Sequence, residues 1–259
     1  MAKTEKTDKR PIALITGGSR GLGRSMALHL AERGVDILFT YRAAAGEAAG
    51  TRERIVALGG KAAALPLDVA DSASFDAFAQ AVAGELERTF GRKQLDYLVN
   101  NAGMGLHRSL VETTAAQLDE LYQVHFKAPF LLTQRLLPLI ADGGRILNVS
   151  SGLARFTIPG SSAYAAMKGA VEVLTRYQAK ELGARRITAN VIAPGAIATD
   201  FGGGLVRDNP EVNKMVASVT ALGRVGQPDD IGAAVAMLLS PESGWLNGQR
   251  IEVSGGMNL

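Results

Sequence analysis

Residues Arg145 to Lys168 read R-I-L-N-V-S-S-G-L-A-R-F-T-I-P-G-S-S-A-Y-A-A-M-K, and the fold turns on how this stretch is read. Ile146, Leu147 and Val149 make a short apolar run of the kind that forms a buried parallel strand, and Ser150-Ser151-Gly152 end it. A loop with Pro159 and Gly160 follows, and Ser161 or Ser162 is placed to cap a new helix. Tyr164 and Lys168 stand four residues apart on that helix and so share a face. A phenol with its usual pKa of about 10 is a poor proton carrier at neutral pH unless a nearby cation lowers it, and Lys168 supplies one. Ser151, at the strand end, is in position to hydrogen-bond the oxygen that Tyr164 protonates. A Y-x-x-x-K pair also occurs on ordinary solvent-facing helices. What carries weight is the interval of thirteen positions from Ser151 to Tyr164 after a buried strand.

Near the start, Ile12-Ala13-Leu14-Ile15 runs straight into T-G-G-S-R-G-L-G, Thr16 to Gly23, and a helix from about Leu22 to Arg33 that Gly34 ends. Glycines let backbone approach a pyrophosphate, and a helix N-terminus offers free N–H groups and a positive dipole end. The turn reads T-G-x-x-x-G-x-G through Thr16, Gly17, Gly21 and Gly23. Together with Ser151, Tyr164 and Lys168 it resembles the short-chain dehydrogenase/reductase family, and the resemblance runs from about Pro11 to Leu259.

Five further strands are expected at Asp36–Thr40, 62–67, Leu95–Val99, Ile187–Ile192 and Arg250–Val253, alternating with helices. This alternation implies an α/β chain: a single doubly wound (Rossmann) domain, a seven-stranded parallel sheet with helices on both faces. No internal repeat, low-complexity segment or second domain is apparent. Residues 1–10 read as a disordered basic leader and 11–259 as the domain.

The second strand ends in Tyr41-Arg42, where a dinucleotide fold that prefers NAD carries an acidic residue on the ribose. Arg42, with Arg20 inside the glycine turn, instead suits a 2′-phosphate, or both arginines are ordinary surface residues; NADP(H) is the expected cofactor. The resemblance adds further cofactor contacts. It implies that Ser19 and Leu22 line the turn, that Asp68 and Val69 meet the adenine unless Asp68 merely ends its strand, and that Asn100 to Gly103 (with Asn101 and Ala102) brace the middle strand and line the site. It puts Pro194 and Gly195 beside the nicotinamide, with Ile197 and Thr199 on its carboxamide, and Lys168 on the ribose hydroxyls. Met104, Leu106, Leu153, Phe156 and Phe201 are expected pocket walls, and the segment from about 201 to 225, opening with Gly202-Gly203-Gly204, a substrate lid.

One departure stands out. Relatives have asparagine in the middle of the helix expected from about Ala115 to Leu137, where this chain has His125. That asparagine fixes a helix distortion and holds a water that relays protons to the lysine. An imidazole can hold such a water and, with a pKa near 6.5, carry protons itself; the other reading is a satisfied core histidine with an altered relay.

Composition limits the alternatives. The 259 residues are 47% hydrophobic and carry a formal net charge of +3, of which residues 1–10 contribute +2. The pI near 9.2 comes without a basic stripe interleaved with aromatics, so nucleic acid is not an expected partner. There is no cysteine, the histidines His29, His107 and His125 have no metal-ligand spacing, and no apolar run reaches the ~18 residues of a membrane span. The first residues lack the apolar core of a signal peptide, so a cytoplasmic location is expected, with no membrane partner and no metal. The reaction implied is reduction of a small apolar ketone to a secondary alcohol, in a homotetramer. Two alternatives stay open. One is a 3-oxoacyl-thioester reductase served by an acyl carrier protein, whose basic entrance residues are matched by Arg185 but not by Asp142; the other is a non-catalytic dinucleotide-binding redox sensor.

Overall fold

The structure, a computed structural model, describes residues 10–259. Among these, seven strands form: β1 (Ile12–Ile15), β2 (Asp36–Tyr41), β3 (Ala62–Pro66), β4 (Leu95–Asn100), β5 (Ile140–Val149), β6 (Thr188–Pro194) and β7 (Arg250–Val253). All pairings are parallel and the order is β3-β2-β1-β4-β5-β6-β7. Strand order therefore reverses between β1 and β4, where an open sheet of this type leaves a crevice at its carboxyl ends. Ile12, Ala13, Leu14 and Ile15 are all fully buried, as the continuous apolar run of a central parallel strand requires.

The helices are α1 (Gly21–Glu32), α2 (Ala45–Ala57), α3 (Phe75–Glu85), α4 (Ala115–Tyr122), α5 (Ala128–Leu136), α6 (Ser162–Glu181), α7 (Leu205–Asp208), α8 (Pro210–Ser218) and α9 (Pro228–Leu238). Two cores sandwich the sheet. Met26, Leu30, Ile55, Ile231 and Val235 bring α1, α2 and α9 onto one face; Phe78, Val82, Leu132, Leu136 and Ala179 bring α3, α5 and α6 onto the other. Gly232 lets α9 lie close on α1, since a Cβ there would fall 2.4 Å from the Ser25 hydroxyl. Asp229 at the start of α9 accepts from that hydroxyl at 2.8 Å.

Several expectations are revised. Arg10 is part of the fold and not of a leader: its guanidinium donates to the Gly34 carbonyl at 3.0 Å and pairs with Asp36 at 3.2 Å. The rest of the expected leader, residues 1–9, lies outside the described residues. Ser161 takes the N-cap position of α6 without giving a side-chain cap. The helix expected from Ala115 to Leu137 is interrupted by a π turn, Gln123–Lys127, with His125 inside it. The segment after β6 is not a bare loop. Gly202, Gly203 and Gly204 all take positive φ, from +62° to +78°, and α7 and α8 follow. Val216 and Val225 from this segment pack on Met257 of the carboxyl tail.

Candidate active site

The carboxyl ends of β1, β4, β5 and β6 open on one cavity of about 900 Å³. Its floor begins at the glycine turn. Gly17 and Gly21 have φ of +68° and +54°, and a Cβ on Gly23 would lie 2.2 Å from the Gly17 carbonyl, so only glycine allows this curvature. Arg20 occupies the N-cap position of α1 and makes no side-chain cap, which leaves the helix's first N–H groups to face the cavity as an anion cradle. Tyr41 and Arg42, at the end of β2, line the cavity beside Arg20. These features fit a phosphorylated dinucleotide.

Thr16 is a brace rather than a cavity contact. Its hydroxyl accepts from the Asn101 and Ala102 backbone N–H groups at 3.0 and 2.9 Å, which turns it away from the cavity. Asn101 completes the brace by donating to the Thr16 and Gly17 carbonyls at 2.9 and 3.3 Å. Two supports escaped the sequence reading: Thr40 accepts from the Gly17 N–H at 3.1 Å, and Thr51 donates to the Ser19 carbonyl at 3.0 Å. Asp68, two residues past the end of β3, lines the cavity with Val69 while accepting from the Ala70 N–H at 2.9 Å.

Gly103, Pro194, Gly195, Ile197 and Thr199 line the far part of the cavity, together with Ser19, Gly21 and Leu22 nearer the turn. Gly195 fits because its α-carbon lies against Ser254, where a Cβ would come within 2.9 Å of backbone. Thr199 is nearly buried, and its hydroxyl accepts from the Phe201 N–H at 3.2 Å.

Ser151, Tyr164 and Lys168 meet in the same cavity. The Ser151 hydroxyl accepts from the Leu153 N–H at 3.2 Å and lines the cavity with Tyr164, whose phenol it influences electrostatically. Lys168 is buried; its ammonium donates to the Val149 carbonyl at 2.7 Å and lies 5.6 Å from the Tyr164 ring centre. Here the expected electrostatics are corrected. Burial raises the phenol above its ordinary value, opposed only by the Ser151 hydroxyl, and burial pushes Lys168 itself down to about 7. The Lys168 ammonium donates to the Val149 carbonyl, and burial sets the direction of the phenol's shift. Tyr164 is therefore held protonated, the form a proton donor needs.

His125 is buried with its ring edge-on to Tyr164. Its Nε2 lies 2.8 Å from the Met104 carbonyl, the geometry of an N–H donating to it, and Nδ1 has no partner among the described residues. Burial, the nearby Lys168 charge and, against them, the Met104 hydrogen bond leave the imidazole at about 3. It is thereby held neutral near pH 7, which disfavours the reading in which it carries protons by charging. The structure favours a histidine that anchors the Gly103-Met104 backbone.

Met104, Leu153, Phe156 and Phe201 form apolar walls, as expected. Leu106 does not: the Phe201 ring and Gly202 backbone pack on Gly105, closing the wall before Leu106 is reached. Ile158, Val206 and Met257, which carry no local sequence signal, complete it.

Comparison with known proteins agrees with this geometry. A family model described as enoyl-(acyl carrier protein) reductase matches residues 17–258. The hydroxynaphthalene reductase-like protein Arp2 of Metarhizium brunneum is 35% identical over 99% of both chains. Among solved structures, the promiscuous reductase LugOII, which catalyses keto-reduction at C1 during lugdunomycin biosynthesis, superposes with a TM-score of 0.92 at 38% identity, covering 97% of this chain and 99% of the other. The angucycline C-6 ketoreductase LanV, solved with bound NADP, gives 0.90 at 37% identity over 96% and 95%. Agreement over almost the whole length, in sequence as well as in fold, shows that the chain belongs to the short-chain dehydrogenase/reductase family of oxidoreductases.

Proposed function

We propose that the protein is an NADP(H)-dependent ketoreductase that converts the carbonyl of an apolar, ring-containing ketone to a secondary alcohol. The observation that carries this reading is one cavity lined at one part by Arg20 and Arg42 and at another by Ser151, Tyr164 and Lys168. The keto-reduction catalysed by LugOII, the C-6 ketoreductase activity of LanV and the NADP bound to LanV support it.

In this reading Arg20 and Arg42 hold the 2′-phosphate, the Gly17–Gly23 turn takes the pyrophosphate, and Lys168 takes the ribose hydroxyls. The bound cofactor supplies the hydride. Tyr164, kept protonated by burial, gives its proton to the carbonyl oxygen, and Ser151 donates a hydrogen bond to that oxygen as charge develops on it. Phe156, Phe201, Met104, Leu153, Ile158 and Val206 exclude water around the reacting carbon. The 201–225 segment acts as a lid hinged at its three positive-φ glycines. Exposed Phe130, Val173 and Tyr177 on α5 and α6 support the homotetramer as the assembled state.

A carrier-protein substrate is disfavoured by a specific pairing. Arg185 is bound to Asp142 at 2.8 Å and donates to the Leu137 carbonyl at 2.9 Å, so its charge is already matched and its side chain is committed to the fold. The test is NADPH oxidation against 2-tetralone, 9,10-phenanthrenequinone, a 3-oxoacyl thioester and an enoyl thioester. Turnover of the ring ketones is expected; exclusive turnover of either thioester would replace the reading, and NADPH binding with no turnover at all would favour the redox sensor.

A further inference from the structure

Below the Ser150-Ser151-Gly152 corner runs a chain of four alternating charges that the reaction scheme does not use. Glu172 follows Tyr164 and Lys168 at the same four-residue step along α6, and so shares their face. Its carboxylate accepts from the Ser150 hydroxyl at 2.7 Å and from Arg250 of β7 at 2.8 Å. Arg250 also donates to the Ser151 carbonyl at 3.4 Å and to Glu252 at 3.0 Å. Glu252 in turn receives a bidentate contact from Arg155, at 2.8 and 3.2 Å. Arg155 donates to the Met257 carbonyl at 3.1 Å, and its guanidinium carbon lies 5.6 Å from the Phe156 ring centre.

Isolated ion pairs at a surface contribute little. This one differs in burial and connectivity. The Glu172 side chain is only 14% exposed and those of Arg250 and Glu252 each 23%, Arg155 at the far end is 40% exposed, and every member has two or more partners. One end holds the backbone of the serine corner against the helix that carries Tyr164 and Lys168. The other end holds Phe156 and Met257, both walls of the cavity.

We infer that Arg250 is a positioning residue for Ser151, and that the Arg155–Glu252 pair at the far end of the same network positions the substrate-facing wall. The inference rests on the ketoreductase reading above. Loss of Arg250 leaves the largely buried Glu172 carboxylate without its cation and frees the Ser151 carbonyl, so the serine hydroxyl loses its alignment with the phenol. Loss of Arg155 leaves the serine end tied and loosens only Phe156 and the tail.

The two ends thus separate in kinetics. With NADPH and 2-tetralone, Arg250→Met is expected to lower kcat about tenfold while the NADPH dissociation constant, read by cofactor fluorescence, stays within twofold. Arg250→Lys, which retains the charge but not the fork, recovers part of the loss. Arg155→Met is expected to raise KM for the ketone about fivefold with a kcat change under twofold. An Arg250→Met enzyme with unchanged kcat, or two variants whose kcat and KM move alike, would overturn the inference. If the wild type binds NADPH but reduces no ketone, the ketoreductase reading fails by itself, and a crystal structure of Arg250→Met then decides. A Ser151 displaced from its wild-type position relative to Tyr164 supports the positioning role, and an undisplaced one contradicts it.

Discussion

His125 stands edge-on to Tyr164, with ring centres 5.1 Å apart and planes at 88°, while its Nε2 meets the Met104 carbonyl at 2.8 Å. The imidazole thus links the phenol to the backbone beside Gly103, where a Cβ would lie 2.9 Å from the histidine ring. Through these contacts the imidazole touches two parts of the site, and its burial holds it neutral.

That neutrality has a measurable consequence. Folding lowers the imidazole from 6.5 to about 3, so between those values the unfolded chain binds more protons than the folded one. The contribution of this group is intact above pH 6.5 and is lost as pH falls towards 3. Relative to His125→Asn, the wild type is expected to lose about 2 kcal/mol of stability between pH 7 and pH 5. Urea unfolding of both proteins at the two pH values checks this, and parallel losses would show that His125 does not pay this protonation penalty.

A second prediction concerns a buried amide that the sequence did not single out. Asn148 of β5 accepts from the Asn100 amide at 2.8 Å and donates to Thr175 and Gln178 at 2.8 Å each, joining β4, β5 and α6 below the site. Asn148→Leu leaves those buried partners unmatched. A loss of about 3 kcal/mol is expected in chemical denaturation, larger than for a change at an exposed residue such as Val111.

Cofactor choice gives a third. Arg20 and Arg42 line the cavity, and among the described residues the Arg20 side chain is otherwise engaged only by Asp200, at 3.8 Å, in an exposed pair of little strength. Arg42→Ala is expected to lower kcat/KM for NADPH by about 10- to 100-fold and to leave that for NADH within about threefold, with the double change Arg20→Ala/Arg42→Ala lowering the NADPH value further. Equal losses with both cofactors would show that these arginines do not read the 2′-phosphate.

The sequence disclosed what depends on neighbours along the chain. The buried run Ile12–Ile15 before Gly17, and the four-residue step from Tyr164 to Lys168, are local patterns, and both sit where expected. The π turn around His125 was not legible, because one extra residue in a turn leaves the apolar spacing nearly unchanged. Nor were the walls. Leu106 is excluded by Phe201, which lies far along the chain, and Met257 arrives from the tail only once the segment after β6 has folded back. The Glu172–Arg250 pair spans 78 positions, a distance over which no spacing rule operates. The direction of the Tyr164 shift was misjudged for a related reason: spacing placed a cation nearby but could not show that its ammonium turns to the Val149 carbonyl in a buried setting.

The central claim is that Tyr164 donates the proton that completes carbonyl reduction. Its most direct test is single-turnover oxidation of bound NADPH by the ring ketone that the wild type reduces fastest, with Tyr164→Phe alongside. The phenylalanine keeps the ring against His125 and Phe201 and removes only the hydroxyl. The account predicts that NADPH binds within about twofold of the wild-type affinity while hydride transfer slows by 10³-fold or more, since the proton donor to the carbonyl oxygen is lost. Hydride transfer within about tenfold of the wild-type rate in Tyr164→Phe would contradict it.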